Sequence, residues 1–376
     1  MKIFVIQDNL SKALNTVNRA VSTRPNIPIL ANCLIEAEKG KIKLSATNLE
    51  IGISTWIGAD VGDFGKITVS SKLLTDFINS LHPGKISMEV IENMLEVNFV
   101  DNKAEFFIIP AEDFPKLPEV EGKCLFEVPA LEFAKAINKT AFAAGTDESR
   151  PVLTGVLLKA KEKKLTLVGV DGFRLSKKEI NLDLEIKGKE IKEIIPAKGL
   201  TEVAKLIFEV CGEKDKVEIF YLGTKNQILF KFNNIEFSSR LIEGDFPDYQ
   251  KIIPTDSIVK LSVSREEFGN IIKIATIFAR NVIGNKTRFK VETEEKTLSL
   301  SASVIDVGKN ESKVELKDVR GENIETGFNI RFLYDMITAV KSKEITFQSN
   351  GPTAPGVFLD SEDSDFIHII MPMRLD

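Results

Sequence analysis

Apolar and polar residues alternate along three widely separated stretches of the chain. The stretches begin at Gly40, Lys163 and Lys296 and read GKIKLSATNLEIGIS, KKLTLVGVDGFRLSK and KTLSLSASVIDVGKN. Such alternation is typical of a strand with one buried face. Another strand-like run and a short charged turn precede each stretch, and these runs read CLIEAEK, GVLLKAK and FKVETEE. Each pair of runs therefore predicts a β-hairpin.

One helical pattern precedes each hairpin and a second follows it. Apolar residues recur every three or four positions in DNLSKALNTVNRAVS, ALEFAKAINKTAFAA and SREEFGNIIKIATIFAR, which predicts amphipathic helices. Ser264 and Glu267 have the spacing of a helix capping box. After each hairpin, a short strand and an amphipathic helix are predicted in ITVSSKLLTDFINSL, EIIPAKGLTEVAKLI and TGFNIRFLYDMITAV, and further strands follow.

The chain is therefore predicted to repeat one plan three times. The tripeptide Asp-Phe-Pro occurs at 113–115 and again at 245–247, where the first and second copies end. Proline cannot donate a hydrogen bond to a sheet and restricts the preceding residue, so these tripeptides suit extended connectors. We predict an α+β fold with domains at 1–119, 120–253 and 254–376.

Composition places the protein in an ordinary class. The 376 residues are 43% hydrophobic and 28% charged, with a formal net charge of −5, as in a globular protein with a sizeable core. Cys33, Cys124 and Cys211 are too far apart for a metal motif or a disulfide framework, and we predict that they are buried. The N-terminal MKIFVIQDNL reads as a strand, and no apolar run is as long as a membrane span. A cytoplasmic protein without a membrane partner is predicted.

Basic residues recur on the predicted helices of all three copies. A single exposed lysine is usually only solvated, but six helices with the same habit could line one positive surface. Such a surface would hold a phosphate backbone without reading bases, and its binding would be salt-sensitive. The residues are Lys12, Arg19, Lys72, Lys135, Lys139, Lys198, Lys205, Lys273, Arg280, Arg331 and Lys341.

No stretch of the sequence predicts a catalytic site, a metal site or a cofactor. His82 and His368 are the two histidines, and neither stands in a metal or catalytic motif. The Asp63–Gly65 tripeptide DFG lacks the other kinase motifs, and no Gly-rich phosphate loop occurs. Two alternatives to a DNA-binding protein remain open: an enzyme with an unrecognised polar constellation, and a monomeric three-domain scaffold for other proteins.

Several motifs together resemble one family. They are RPNIPIL at 24–30, ATNLEIGI at 46–53, VDGFRL at 170–175, IIPAKG at 194–199, EGDFPDYQKIIP at 243–254 and the terminal MPMRL. In this order and spacing, within a threefold repeat, they resemble the bacterial DNA polymerase III beta subunits, the replicative sliding clamps. The resemblance runs from end to end of the chain.

The resemblance implies a non-enzymatic processivity factor. The expected assembly is a head-to-tail homodimer that closes a ring of six DNA-clamp domains, with helices on the inner face and antiparallel sheets outside. Such a ring encircles double-stranded DNA without sequence specificity and tethers the replicative polymerase. The resemblance adds Arg24 and Arg150 to the DNA-facing residues. It joins an edge strand with Phe106 and Ile108 to a helix of the partner copy around Ile277 and Phe278.

The resemblance also implies a hydrophobic groove that binds short peptide motifs of polymerases, the clamp loader and repair proteins. Phe173 stands where some relatives carry histidine, Val152 where some carry an aromatic residue, and Asp376 follows the leucine at which many relatives end. These departures are expected to alter the peptides preferred. The groove positions are Leu153, Gly172, Phe173, Arg174, Leu175, Pro247, Ile252, Ile370, Met371, Pro372, Met373 and Arg374.

Overall fold

A computed structural model describes residues 1–22, 27–120, 124–222, 226–280, 282–304 and 308–375. These residues pack as two compact units. One unit joins Met1–Ala134 to Glu202–Leu241, and the other joins Lys135–Thr201 to Ile242–Asp376. Each unit takes part of the second predicted domain, so the units do not coincide with the three predicted domains. The boundaries at 119 and 253 stay predictions.

The first repeat follows the predicted plan of strand, helix, hairpin, strand, helix and strands. Its helices are α1 (Gln7–Asn18) and α2 (Ser71–Ser80). Its strands are β1 (Lys2–Ile6), β2 (Asn32–Glu38), β3 (Lys41–Thr47), β4 (Ile51–Gly58), β5 (Asp60–Asp63), β6 (Gly65–Ser70), β7 (Lys85–Ile91), β8 (Met94–Phe99) and β9 (Asn102–Ile109).

The second repeat has fewer strands, and two of them, β11 and β12, are much longer than those of the first repeat. Its helices are α3 (Ala130–Thr140) and α4 (Ala197–Val210). Its strands are β10 (Phe126–Pro129), β11 (Gly155–Val170), β12 (Arg174–Pro196), β13 (Lys216–Leu222), β14 (Gln227–Phe232) and β15 (Ile235–Arg240).

The third repeat returns to the plan of the first. Ser264 caps its first helix by accepting a hydrogen bond from the Glu267 N–H at 3.4 Å, which agrees with the predicted capping spacing. The helices are α5 (Arg265–Ala279) and α6 (Ile330–Ala339). The strands are β16 (Val259–Ser264), β17 (Lys286–Glu292), β18 (Thr297–Val304), β19 (Gly308–Glu315), β20 (Asp318–Gly321), β21 (Ile324–Asn329), β22 (Glu344–Ser349), β23 (Gly356–Asp360) and β24 (Asp363–Ile370).

The predicted hairpins are confirmed in the first and third repeats, where β2 pairs with β3 and β17 with β18. Gly40 and Lys296 lie in the turns of these hairpins with φ of 74° and 51°. In the second repeat both runs belong to β11. The pairing of β11 with β12 shifts register around Glu162. Glu162 has a positive φ of 54° and lies between the two runs, as Gly40 does in the first repeat.

Each long alternating stretch was expected to form one strand, and this was wrong in all three repeats. The third stretch is divided between β18 and β19, which pair with each other. Between β3 and β4 the side-chain oxygen of Asn48 accepts hydrogen bonds from the N–H groups of Glu50 and Ile51, at 3.0 and 2.9 Å. Between β11 and β12, Asp171 does the same for Phe173 and Arg174, at 2.8 and 2.9 Å. An Asx turn therefore reverses the chain inside an unbroken apolar–polar pattern.

Antiparallel sheets continue from one repeat into the next. In the first unit the strand order is β10-β13-β14-β15-β4-β3-β2-β6-β9-β8-β7-β1-β5, so β15 of the second repeat pairs with β4 of the first. In the second unit the order β11-β12-β24-β23-β22-β16-β20 joins β24 of the third repeat to β12 of the second. A separate sheet has the order β19-β18-β17-β21.

Both Asp-Phe-Pro connectors are held by their phenylalanine. Phe114 and Phe246 are each 6% exposed. Phe246 packs in an apolar cluster with Leu157, Leu175 and Ile369, which belong to β11, β12 and β24. The repeated tripeptide therefore combines an extended proline with a buried aromatic anchor.

Candidate functional site

The turn at 171–173 presents an aromatic side chain beside the C-terminal strand. Gly172 adopts φ of 93°, a conformation that glycine takes without steric cost. The two hydrogen bonds to Asp171 fix the turn, and the Phe173 side chain that follows is 60% exposed. A large exposed aromatic group on a rigid turn is suited to contact with another molecule.

Backbone hydrogen bonds tie the end of the chain to this turn. Ile370 pairs with Arg174 at the end of the β12–β24 ladder. The Met371 N–H then donates to the Phe173 carbonyl at 2.8 Å, and the Met373 N–H donates to the Gly327 carbonyl of β21 at 2.8 Å. The terminal methionines are therefore held in place, and Met371 is 39% exposed.

The predicted groove residues divide into exposed members and a buried floor. Leu175 and Ile370 are 2% and 0% exposed, so they support the surface from below rather than face a ligand directly. Leu153 is half-buried against the same apolar cluster as Leu175. Pro372 and Met373 are half-buried. The exposed members are Gly172, Phe173, Pro247, Ile252, Met371 and Arg374.

Arg174, which the resemblance places in the groove, is engaged by other groups of the protein. Its Nε binds Asp171 Oδ2 at 2.9 Å, its Nη1 binds Asp335 Oδ2 at 2.6 Å, and its Nη2 donates to the Phe142 carbonyl at 2.7 Å. The guanidinium also lies 4.4 Å from the centre of the Phe332 ring. With its side chain 10% exposed, Arg174 joins the groove turn to α6 instead of facing solvent.

A cavity of about 610 Å³ lies beside this arginine. Its wall includes Phe173, Phe332, Arg150 and Arg331, and Asp147 adds an acidic group. The Nε of Arg150 lies 3.5 Å from Asp147 Oδ2, and the Arg150 side chain is 54% exposed. Hydrogen bonds from Ser149 hold the pKa of Asp147 below its usual range, so this carboxylate partly neutralises Arg150.

Most predicted DNA-facing side chains, which lie on the helices or within two residues of a helix end, are exposed and have no ion pair among the described residues. Such side chains can meet a phosphate without losing an existing partner. They are Lys12, Lys72, Lys135, Lys198, Lys273, Arg280, Arg331 and Lys341. Arg24 lies outside the described residues.

Arg19 and Lys205 differ from this pattern because each is engaged with Glu202. Arg19 Nη1 lies 3.0 Å from Glu202 and Nη2 lies 2.5 Å from Glu209, so α1 is joined to α4. Lys205 lies 2.7 Å from Glu202 on its own helix. Burial raises the pKa of Glu202, but hydrogen bonds from Lys205 and Arg19 outweigh it and the pKa is lowered. We therefore remove Arg19 from the DNA-facing set and keep the exposed Lys205.

Lys139 is also removed, because its ammonium group is enclosed by acids. It lies 2.7 Å from both Asp360 and Asp363, and its side chain is 12% exposed. Lys178 forms a second ion pair with Asp363, at 2.5 Å. Burial raises the pKa of Asp363, and the two lysines outweigh that effect and lower it. Lys139 thus joins α3 to the turn between β23 and β24.

The residues predicted at the subunit seam have unequal exposure. Phe106 is 5% exposed and stacks edge-on against Phe77 of α2, with ring centroids 5.7 Å apart. Its neighbour Phe107, which sequence reasoning missed, is 82% exposed. Adjacent strand residues face opposite sides, and this signal could have identified Phe107. Ile108 and Phe278 are half-buried, and Ile277 is 55% exposed.

The three cysteines lie in surroundings that raise their pKa or bury them. Cys33 is buried as predicted, whereas Cys124 and Cys211 are half-buried. Burial raises the pKa of Cys33 to about 12 and that of Cys211 to about 11, which disfavours the reactive thiolate. Within the described ranges no group of three acidic, histidine or cysteine residues could hold a metal ion. No described helix is long and apolar enough to cross a membrane.

Known proteins resemble the chain along its whole length. Beta sliding clamps of Bacillus subtilis (strain 168) and a Synechocystis species are 27% and 29% identical to it, covering 100% of both proteins in each case. The crystal structure of the sliding clamp from Bacillus subtilis matches with a TM-score of 0.93 at 25% identity, over 100% of both chains. A sliding clamp from Pseudomonas aeruginosa bound to griselimycin matches with a TM-score of 0.92 at 25% identity, again over 100% of both chains.

Family models give the same result repeat by repeat. The N-terminal domain of the DNA polymerase III beta subunit matches residues 1–118, the central domain matches 127–248, and the C-terminal domain matches 250–374. The three models follow one another in the order of the three repeats and cover nearly all of the chain. The chain therefore belongs to the DNA polymerase III beta subunit family.

Proposed function

We propose that this protein is a DNA sliding clamp that closes as a head-to-tail homodimeric ring around duplex DNA and tethers the replicative polymerase. The observation that carries the proposal is the match of all three beta-subunit domains, in order, over the whole chain. The clamp has no catalytic step of its own. It works in the cytoplasm, where its DNA and polymerase partners meet.

Ring closure is supported by the way in which the sheets continue between repeats. β15 pairs with β4 and β24 pairs with β12, so the last strand of one repeat joins the strand that follows the hairpin of the preceding repeat. The corresponding strand of the first repeat is β9, which pairs with β8 and only briefly with β6. Among the described residues β19 pairs only with β18. We propose that β9 of one copy pairs with β19 of the other.

This pairing would remove two sheet edges that are otherwise a risk for aggregation. It would also bring Phe106 and Ile108 of one copy near Ile277 and Phe278 of the other. The contact is heterologous, and it closes after two subunits because each copy supplies three of the six domains.

The exposed basic side chains supply weak contacts to the phosphate backbone. They are distributed over helices of all three repeats, and none of these contacts requires a particular base. Affinity should therefore fall steeply with salt while remaining independent of sequence. Arg24 and Arg150 stay in the proposed DNA-facing set.

The surface formed by Phe173, Ile252, Met371 and their neighbours is the proposed groove for linear peptide motifs. Exposed methionine and phenylalanine make an apolar surface that adapts to different sequences. The occupants that we propose are short segments of polymerases, the clamp loader and repair proteins.

Retention on plasmid DNA tests the ring. The protein is loaded onto nicked circular plasmid with clamp loader and ATP, and half of the sample is then linearised. We expect retention on circles and loss from linear DNA at moderate salt. Equal retention on both forms would mean ordinary DNA binding, and a monomer that is retained on neither would favour the scaffold alternative.

A peptide titration tests the groove separately. A fluorescent peptide from the clamp-contacting end of the replicative polymerase is titrated with wild type and with Phe173→Ala. The variant should bind at least about tenfold more weakly, because it loses an exposed aromatic contact. Lys198→Ala is the control, and it should change DNA retention but not peptide affinity.

A further inference from the structure

The second helix of each repeat carries an acidic residue at the same position. Counting from the first residue of α2, α4 and α6, the sixth residue is Asp76, Glu202 and Asp335 respectively. The first two helices begin at Ser71 and Ala197, and the third begins at Ile330. The repeat therefore places a negative charge at one defined position in each of its copies.

In the second and third repeats an arginine of the preceding repeat pairs with this acid. Arg19 of the first repeat lies 3.0 Å from Glu202. Arg174 of the second repeat lies 2.6 Å from Asp335. The two arginine side chains are only 25% and 10% exposed. An arginine–carboxylate pair therefore crosses both junctions between repeats within the chain, although the two arginines come from different elements.

The acid of the first repeat has no such partner among the described residues of its own chain. Asp76 is exposed, and within the described ranges it forms no ion pair or side-chain hydrogen bond. In a single copy, its position therefore corresponds to a junction at which the described residues supply no arginine.

The first helix of the third repeat ends at a matching arginine, which forms no ion pair among the described residues. Arg280 caps the C-terminal end of α5, as Arg19 caps that of α1. It is exposed, and it has no ion pair in the part of the chain that the structure describes.

Exposed apolar residues accompany both charges on the same helix faces. Leu73 lies three residues before Asp76 and is 58% exposed, and Ile277 lies three residues before Arg280 and is 55% exposed. Residues at this spacing are neighbours on a helix surface. Each charge thus stands beside an apolar group that is suited to being covered.

We propose that Arg280 of one subunit pairs with Asp76 of the partner subunit, so that the seam between subunits repeats the charged contact of the two junctions within the chain. This inference rests on the proposed head-to-tail dimer. It assigns Arg280 to the seam and not to DNA. The occupant of the exposed α2 face is therefore a second copy of this chain, selected by charge complementarity.

Charge reversal and its rescue test the pair. Arg280→Glu and Asp76→Arg each place like charges together at both seams of the ring. Each should raise the dimer Kd, measured by subunit-exchange fluorescence on dilution, at least about tenfold. The double variant should return to within about threefold of wild type.

Mixing the two single variants tests the rescue of dimerisation a second time, without a further substitution. In the mixed dimer, Arg280 faces Asp76 at one seam, and at the other seam the two reversed side chains face each other with opposite charges. Dimerisation should therefore recover. Lys273→Glu is the matched control, because it makes the same charge change two turns earlier on α5 and should leave the dimer Kd unchanged.

The outcomes separate this inference from the proposed function. If wild type dimerises and is retained on circular DNA while both reversals leave the dimer Kd unchanged, the pair is wrong and the ring stands. If the reversals weaken the dimer but neither the double variant nor the mixture recovers, the direct pair is also wrong. If wild type itself neither dimerises nor remains on circular DNA, the proposed function fails together with the pair.

Discussion

His368 should make the stability of this protein depend on pH in the mildly acidic range. Its imidazole is 0% exposed on β24 and packs on the Phe142 ring, with centroids 5.2 Å apart. The Ser176 hydroxyl donates to the Lys139 carbonyl at 2.6 Å and lies 3.2 Å from His368 Nδ1. Since that hydroxyl hydrogen is already used, Nδ1 must donate to Ser176, and the neutral ring is the form that fits.

Burial lowers the pKa of His368 to about 3, and the positive charge of Arg174 acts in the same direction. In the unfolded chain the pKa returns to about 6.5. Between these values the unfolded state binds a proton that the folded state excludes, so stability is complete above about pH 6.5 and falls as the pH drops. At pH 5 the loss from this group is about 2 kcal/mol relative to pH 8.

Urea unfolding of wild type and His368→Phe at pH 8, 7, 6 and 5 measures this contribution. Phenylalanine keeps an aromatic ring against Phe142 and cannot titrate. Subtracting the free energies of unfolding of the two proteins at each pH removes the contribution of the other titratable groups. We expect the wild type to lose about 2 kcal/mol more than the variant between pH 8 and pH 5.

Ser176→Ala is the control, because it removes the hydrogen-bond partner but keeps the buried imidazole. The free energy of unfolding of Ser176→Ala should decrease on acidification at least as steeply as that of wild type. Parallel curves for wild type and His368→Phe would refute the reasoning, since they would show that the imidazole takes up its proton equally in both states.

Three further predictions concern buried anchors. Phe246→Ala should destabilise the protein by about 3–5 kcal/mol in urea unfolding, because it leaves a cavity in the apolar cluster under the second connector. A change below about 1 kcal/mol would mean that the cluster collapses around the cavity. Lys139→Met should lower the free energy of unfolding by about 3–5 kcal/mol, because it leaves the buried Asp360 carboxylate without its partner. Lys135→Met on the same helix is the control and should change the free energy of unfolding by no more than about 0.5 kcal/mol. Arg174→Met should weaken polymerase-peptide binding at least about tenfold, because the groove turn is no longer joined to α6. Arg174→Lys should bind the peptide equally weakly, because an ammonium group cannot reach the three acceptors that the guanidinium fork reaches. Unchanged peptide affinity at normal thermal stability would rule out the positioning role.

Local patterns in the sequence were sufficient to predict the repeat and most of its elements. All six helices lie where periodicity placed them, because an amphipathic stripe is a property of neighbouring residues and needs no knowledge of the partner. Leu10, Leu14 and Val17 illustrate this, since all three are 0% exposed on the side of α1 that faces the hydrophobic core. Strand alternation also placed the hairpins of the first and third repeats.

Turns within alternating stretches were harder to predict. Asn48 and Asp171 reverse the chain without interrupting the apolar–polar pattern, because the hydrogen bonds that make the turn come from one side chain. Asp171 in VDGFRL was visible as a turn former, but the alternation around it favoured a continuous strand. The turn that presents Phe173 therefore became clear only from the folded backbone.

Sequence by itself determined the threefold plan, the faces of the helices and the family resemblance, because these depend on residues close together in the chain or on ordered motifs. Tertiary structure alone decided which charges are free. Arg19 and Glu202 are 183 residues apart, and Lys139 and Asp360 are 221 apart. A lysine or arginine on a polar helix face has the same local pattern whether it meets water, phosphate or a distant carboxylate. Only the packing of the repeats distinguishes the internal ion pairs from the side chains left for DNA and for a second subunit.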